Sequence, residues 1–592
     1  MKSDSHLIKD LFYPWLPYLI FFTGSVIFFG FFAGYILFYQ EKSSLFIFSY
    51  DFLKENLIQP GGILIWLGKF LSTFFYYPVA GAFIVSGIIT LIVFYISRII
   101  RLSTGNNALI LPFLTGVILF YLQIDYRFLI YNNLGLLFQL FVFYLSVRYL
   151  KALRGWIALF IFPLLYFVTG GFVWLFLILI TFYFALDWKK KGWIKIAVLW
   201  SFGFLTFYFS KEFLFFQSGK TLMLFPFSDI HTGSQSKLFL TVGAIISLLP
   251  FIAGIMSVFP AKIRNFKTLE VIIITLLTGF AITIIGFKRF DKKENQYFQV
   301  EKLFYQNRYD EIIAYNTTNT PTNYLTIFLN NIALCERGKL DDMLFTFPQS
   351  PDGKTLFLKW EMVSEVLKRG GYFYYTIGMI NEAHRWAFEN MVMSGLSPEG
   401  LKMLIKTELI NGNYEVASKY ITLLKKTLFY KSEAKTFEKL LFNDAEINTD
   451  TELGEKRLNR ITTDFFSITD NPYINVEKIL AEDSLNKKAF EYKLAFMLLN
   501  KNYQGIVNVL PEFERFGYSK LPVHVEEAIV TYSTLNRKKL NLPGNIQINK
   551  DTEIRWNEFM SVFQKYRNNP GAAEPALRKQ FGNTFWYFVI YR

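Results

Sequence analysis

The chain has 592 residues, of which 52% are hydrophobic, 19% aromatic and 18% charged. That mix is too apolar for a wholly soluble protein and too charged for one wholly embedded in lipid. The formal net charge of +15 does not amount to a nucleic-acid footprint: residues 1–287 hold 21 Lys/Arg against 10 Asp/Glu, whereas residues 288–592 hold 41 against 37, so the excess lies in the apolar half.

Cys335 is the only cysteine, which excludes internal disulfides and cysteine metal clusters. His6, His231, His384 and His524 lack the i, i+4 spacing of a zinc helix. No metal site is predicted, and no cofactor motif is evident.

In chain order, nine apolar runs read as membrane spans: 14–39, 77–97, 108–124, 129–147, 156–169, 171–187, 194–210, 237–258 and 269–287. The fifth is short and carries Pro163, and Gly170-Gly171 separates it from the sixth. The two are either separate spans or a re-entrant hairpin. Either way both flanks stay on one side, and so does everything downstream.

With the N-terminus inside, 14 of the Lys/Arg before residue 288 fall on cytoplasmic segments and 7 on the opposite side, which matches the positive-inside rule. Segments 40–76, 124–128 and 211–236 then share the outer side with residues 288–592. The basic group Lys288, Arg289, Lys292 and Lys293 conflicts locally, but a long following domain translocates largely regardless of charge.

Within the first outer segment, Pro60-Gly61-Gly62 breaks the chain. Ile63, Trp66, Leu67, Phe70, Leu71 and Phe74 then recur at helical spacing, with Lys69 and Thr73 on another side. This predicts a helix over 60–76 lying on the bilayer surface, closed by the aromatic pair Tyr76-Tyr77.

From 288 onward the pattern is helix, short polar turn, helix. Turns fall at Gln306–Tyr309, Arg337–Leu340, Ile377–Ile380, Asn411–Tyr414 and Asn500–Tyr503. The first four are spaced by 31, 40 and 34 residues, close to the tetratricopeptide period of about 34. The stretch "LKMLIKTELINGNYEVASKYITLLKK", 401–426, is the best copy. The half resembles a degenerate tetratricopeptide array, an architecture that implies a protein- or peptide-binding surface; a plain helical support is the other reading. The aromatic end "FGNTFWYFVIYR" is too short to span, and is expected to cap the array or dock on the membrane half.

The predicted fold is therefore all-α. Residues 1–287 form a polytopic bundle with an interfacial helix at 60–76, and 288–592 form an extracytoplasmic helical repeat domain. No P-loop, dinucleotide fingerprint, nucleophile elbow or metalloprotease motif is present. Chemistry is therefore sought in ionisable residues at the outer edge of the membrane: Asp51 and Glu55, Asp125 and Arg127, and Lys220 and His231. For each, a solvated surface charge or a headgroup anchor is the structural alternative.

The layout of residues 11–260 resembles the integral-membrane C-type glycosyltransferases. It shares a long first outer loop with an acid ("SYDFLKE"), a second acid between spans three and four ("QIDYRFL") and a long loop after span seven. The resemblance implies transfer of a sugar from a polyprenyl-phosphate donor. Asp51 and Asp125 would be the catalytic carboxylates, Asp51 as base or acceptor-orienting acid, and Arg127, Lys220 and His231 would sit on the phosphate side. Metal-using members carry Asp-x-Asp or Asp-x-Glu at the second site; here Asp125-Tyr126-Arg127 ends in arginine, so a divalent metal is not supported by the motif.

The whole chain also resembles a family of multi-pass proteins of unknown function from Bacteroidota, which implies a Gram-negative inner membrane. Beside the enzyme stands a non-catalytic scaffold whose repeats recruit envelope proteins. A transporter ranks third, because the predicted cytoplasmic face offers few acids.

Overall fold

The computed structural model describes residues 15–592 apart from 105–108, 150–155, 186–191, 227–232, 253–266, 464–466 and the single positions 362, 469, 539, 545 and 568. Among the described residues the protein is all-helical, with no strand. The chain divides into two compact units: Met1–Phe290 with Lys426–Phe429, and Asp291–Lys425 with Tyr430–Arg592.

The first unit is built from α1 (Leu16–Ile27), α2 (Gly34–Lys42), α3 (Tyr50–Asn56), α4 (Gly62–Thr73), α5 (Pro78–Thr104), α6 (Ile110–Gln123), α7 (Tyr131–Tyr149), α8 (Trp156–Thr169), α9 (Val173–Ala185), α10 (Gly192–Phe209), α11 (Gly219–Leu224), α12 (Gly233–Ser247) and α13 (Lys267–Arg289). Fewer of these meet the demands of a membrane span than the nine expected. Four described helical stretches are long and apolar enough: Pro78–Leu102, Phe160–Ala185, Gly192–Leu214 and Leu269–Arg289.

A fifth appears if the bent pair Leu16–Phe32 and Gly34–Lys42 is one span; it turns by 71° after a π-helical stretch at Phe28–Phe32. The expected span 237–258 lies partly outside the described residues; elsewhere the shortfall has local causes. At 14 residues, α6 is about 21 Å long against a hydrocarbon core of about 30 Å. Another, α7, opens on buried Asn132 and Asn133 and buries Gln139, which lowers its apolarity.

The expected fifth and sixth spans run together as helix from Phe160 to Ala185. A 3₁₀ turn at Gly170–Phe172 joins α8 to α9, and Gly170 there is left-handed, with φ +59°. A continuous right-handed helix does not contain such a residue, so the run is interrupted at its middle and divides into two α-helical segments.

That turn is pinned from two sides. The Gly61 amide donates to the Phe167 carbonyl (2.9 Å) and the Gly171 amide to the Phe225 carbonyl (2.7 Å). A methyl group on Gly170 would lie 2.5 Å from the Phe225 oxygen and 2.9 Å from the Pro60 oxygen, which leaves room for glycine alone.

In the second unit helices alternate with short turns, and every predicted turn contains one left-handed residue: Asn307, Gly338, Gly378, Gly412 and Lys501. These turns close helices such as Lys292–Tyr305, Tyr324–Glu336, Ser364–Ile377, Pro398–Asn411 and Lys487–Leu499. The aromatic C-terminus forms the helix Phe585–Tyr591 and packs inside this unit. Phe585, Trp586, Tyr587 and Phe588 are buried, and the Trp586 indole donates to the Glu527 carbonyl at 2.9 Å.

Candidate functional site

The segment before α4 is too short of apolar residues to enter lipid and too constrained to wander. Ser49 caps α3 through a hydrogen bond from the Phe52 amide. Pro60 and left-handed Gly61 then turn the chain into α4.

On α4, Gly68 meets α7: a Cβ there would lie 2.8 Å from the Tyr131 Cβ, so the two helices touch almost backbone to backbone. The next residue, Lys69, is half-buried. Its Nζ lies 5.4 Å from the Phe52 ring centroid. Burial pulls the ammonium below its usual pKa, and the charge of Glu55 partly offsets this.

The loop between α6 and α7 supplies a second cation. The Asp125 carboxylate accepts the Arg127 backbone N–H (2.9 Å), a local turn of the Asx kind. Arg127 is exposed; it donates to the Tyr126 hydroxyl (2.9 Å), and its guanidinium lies 5.1 Å from that ring centroid. The hydrogen bond to Tyr126 holds the guanidinium firmly charged.

Buried amides fix the loop from below. Gln40 and Gln123 donate to the Phe128 carbonyl at 3.0 and 3.1 Å, and Asn133 donates to Gln123 at 2.7 Å.

These elements enclose a cleft of about 520 Å³, lined by Tyr39 and Gln40 of α2, Ser43 and Ser44 just after it, Asn56 and Gln59, Ile65, Lys69 and Ser72 of α4, Arg127–Asn132, and Phe225. The volume is that of a small-molecule or headgroup site. Among the described residues its wall holds two cations, several amides and hydroxyls, and no carboxylate.

Of the residues nominated from sequence, Arg127 lines this cleft. Asp51 sits exposed in the first turn of α3 and does not line it. Nor does Asp125, whose carboxylate is engaged by its own loop. Lys220 is exposed on α11, away from the cleft wall, and His231 lies outside the described residues. No group of three or more His, Cys, Asp or Glu able to hold a metal occurs among the described residues.

Sequence reasoning missed Lys69, Gln40 and Asn132 as wall residues. One signal was present: Lys69 is the sole cation of an otherwise apolar and aromatic stretch from 60 to 76.

The second unit holds another polar concavity, around Tyr309, Glu336, Tyr375, Lys402, Lys406 and Glu452. Its charges pair with one another or with neighbours: Lys406 with Glu452 at 2.6 Å, Lys456 with Glu336 at 2.8 Å, and the Tyr375 hydroxyl with Glu452 at 2.9 Å. With a volume of about 30 Å³ it has room for little beyond water.

No curated protein and no solved structure matches the chain. A family described as one of unknown function (DUF6057) matches residues 11–592, and the chain belongs to that family.

Proposed function

We propose that this is an integral membrane protein whose first unit binds the phosphate-bearing head of a membrane lipid. The observation that carries this reading is the cleft wall, on which, among the described residues, Lys69 and Arg127 stand without a carboxylate. A half-buried ammonium and a fixed guanidinium form an anion receptor. The amphipathic helix α4 would lie at the headgroup level, with its cation facing the cleft.

A polyprenyl-phosphate-linked donor is the lipid class suggested by the layout shared with C-type glycosyltransferases. The Lys/Arg distribution supports a periplasmic position for the cleft's loops, at an inner membrane. Sugar transfer would also need an acid beside the cleft, and neither Asp51 nor Asp125 is on its wall. The proposal is therefore for recognition of a lipid-linked phosphate, not for Asp51 as its base. The scaffold reading draws less support, because the polar concavity of the second unit has its charges internally paired.

Binding of the purified full chain to vesicles of zwitterionic lipid, with and without polyprenyl monophosphate, tests this. The expected result is saturable, phosphate-dependent binding that falls at least about tenfold in Lys69→Ala/Arg127→Ala, about 1.4 kcal/mol or more. Equal binding to both vesicle types, or no effect of the double substitution, would sink it.

A further inference from the structure

The cleft wall carries a second chemistry that a bare phosphate leaves unmet. Gln40 and Asn132 both line the cleft and are each only 2% exposed. Their amide orientations are set, because each nitrogen must face a carbonyl: Gln40 Nε2 donates to Phe128 O at 3.0 Å, and Asn132 Nδ2 donates to Leu129 O at 3.1 Å. That leaves Gln40 Oε1 and Asn132 Oδ1 as buried acceptors with no hydrogen-bond partner, and the Ser43 hydroxyl, also on the wall, has none. Buried acceptors of this kind call for a donor. A phosphate at neutral pH offers almost only acceptors, which suit Lys69 and Arg127 but repel amide oxygens. Hydroxyl groups supply the missing donors.

We infer that the ligand of this cleft is a phosphorylated polyol, a phosphate carrying adjacent hydroxyls such as a glycosyl phosphate headgroup. Lys69 and Arg127 hold its phosphate, and Gln40, Asn132 and Ser43 read its hydroxyls. The inference rests on the lipid-phosphate reading and names the substrate class within it. Two membrane sources present this chemistry: a polyprenyl-phosphate sugar, and a glycerophospholipid with a polyol head.

The test compares three probes in otherwise zwitterionic vesicles: polyprenyl monophosphate, polyprenyl-phosphate hexose and phosphatidylglycerol. The wild-type chain should bind one of the two hydroxyl-bearing lipids at least tenfold more tightly than polyprenyl monophosphate, and which one wins identifies the source. Gln40→Ala and Asn132→Ala should bring that ratio towards one. Lys69→Ala should weaken all probes alike and leave the ratio in place, which a general collapse of the cleft by the amide substitutions would also do. Equal wild-type affinity for bare and hydroxyl-bearing phosphates overturns the hydroxyl assignment, and so do amide variants that lower all affinities with an unchanged ratio. Failure of every phosphate lipid to bind refutes the underlying lipid-phosphate reading instead.

Discussion

Gly170 is the residue on which the first unit turns. It is left-handed, and its Cα lies 3.1 Å from where a Cβ on Gly61, itself left-handed at φ +84°, would stand. Two loops distant in sequence therefore meet glycine against glycine. Gly170→Ala combines a strained backbone with a clash against two carbonyl oxygens, and should cost about 1–3 kcal/mol, read as a lowered thermal midpoint of the detergent-solubilised chain. Asp51→Ala is the contrasting case. The side chain is exposed on a short helix off the cleft wall, so stability and lipid binding should both stay within experimental error. Pro60-Gly61-Gly62 was legible as a chain break because the residue types themselves demand a turn. That Gly61 is answered by Gly170 was not, since pairing across about 110 positions leaves no local trace.

At the scale of elements, the second unit is held by buried charge as well as by apolar packing. Arg369 of the helix Ser364–Ile377 is fully buried against Glu301 of Lys292–Tyr305, also fully buried, with Glu365 at 2.9 Å as a second partner. Arg369→Ala strands the Glu301 carboxylate and should destabilise the protein by about 3–5 kcal/mol. Arg369→Met/Glu301→Leu should recover part of that loss, because no lone charge remains. Chemical denaturation of the two variants checks both.

Glu491 behaves differently. It is buried on the helix Lys487–Leu499, with one oxygen lacking a hydrogen-bond partner, and burial pushes its carboxyl up to about 8. A folded-state value raised above the usual 4.5 means stability is full below that pH and is lost as pH rises through 8. The thermal midpoint should therefore fall between pH 5 and pH 9, and Glu491→Gln should flatten the decline.

The five predicted turns of this unit were readable from short clusters built around Asn, Gly or Lys, each with its left-handed residue. The tetratricopeptide identity was not established by them. Turn chemistry reports where helices end, while the family of a repeat is set by how the helices stack.

For the molecule as a whole, the charges flanking residues 156–187 bear on how the chain crosses the bilayer. Arg148, Lys151 and Arg154 precede the run, and Lys189, Lys190, Lys191 and Lys195 follow it. Basic flanks at both ends favour the cytoplasmic side for both, whereas the helical run Phe160–Ala185 is long enough to cross once and would put them on opposite sides. Single-cysteine variants at Lys151 and Lys195 decide between the two: labelling from opposite faces of membrane vesicles would mean a single crossing, whereas the charges predict labelling from the same face, with little background from buried Cys335. A reporter fused after Arg592 should then be active outside the cytoplasm.

The sequence by itself determined an all-helical chain, an apolar first half with a basic bias, a break at Pro60-Gly61-Gly62 and the turn positions of the second half. All of these follow from residue type and short-range periodicity. Tertiary structure decided which helices are long enough to cross, that α8 and α9 join at a left-handed glycine, and that Lys69, Arg127, Gln40 and Asn132 share one cleft while Asp51 and Asp125 do not line it. Those outcomes depend on close approaches between distant segments, such as Gly68 against Tyr131 and Gly61 against Gly170. Periodicity is blind to them, because it records which face of a helix is apolar and not what that face meets.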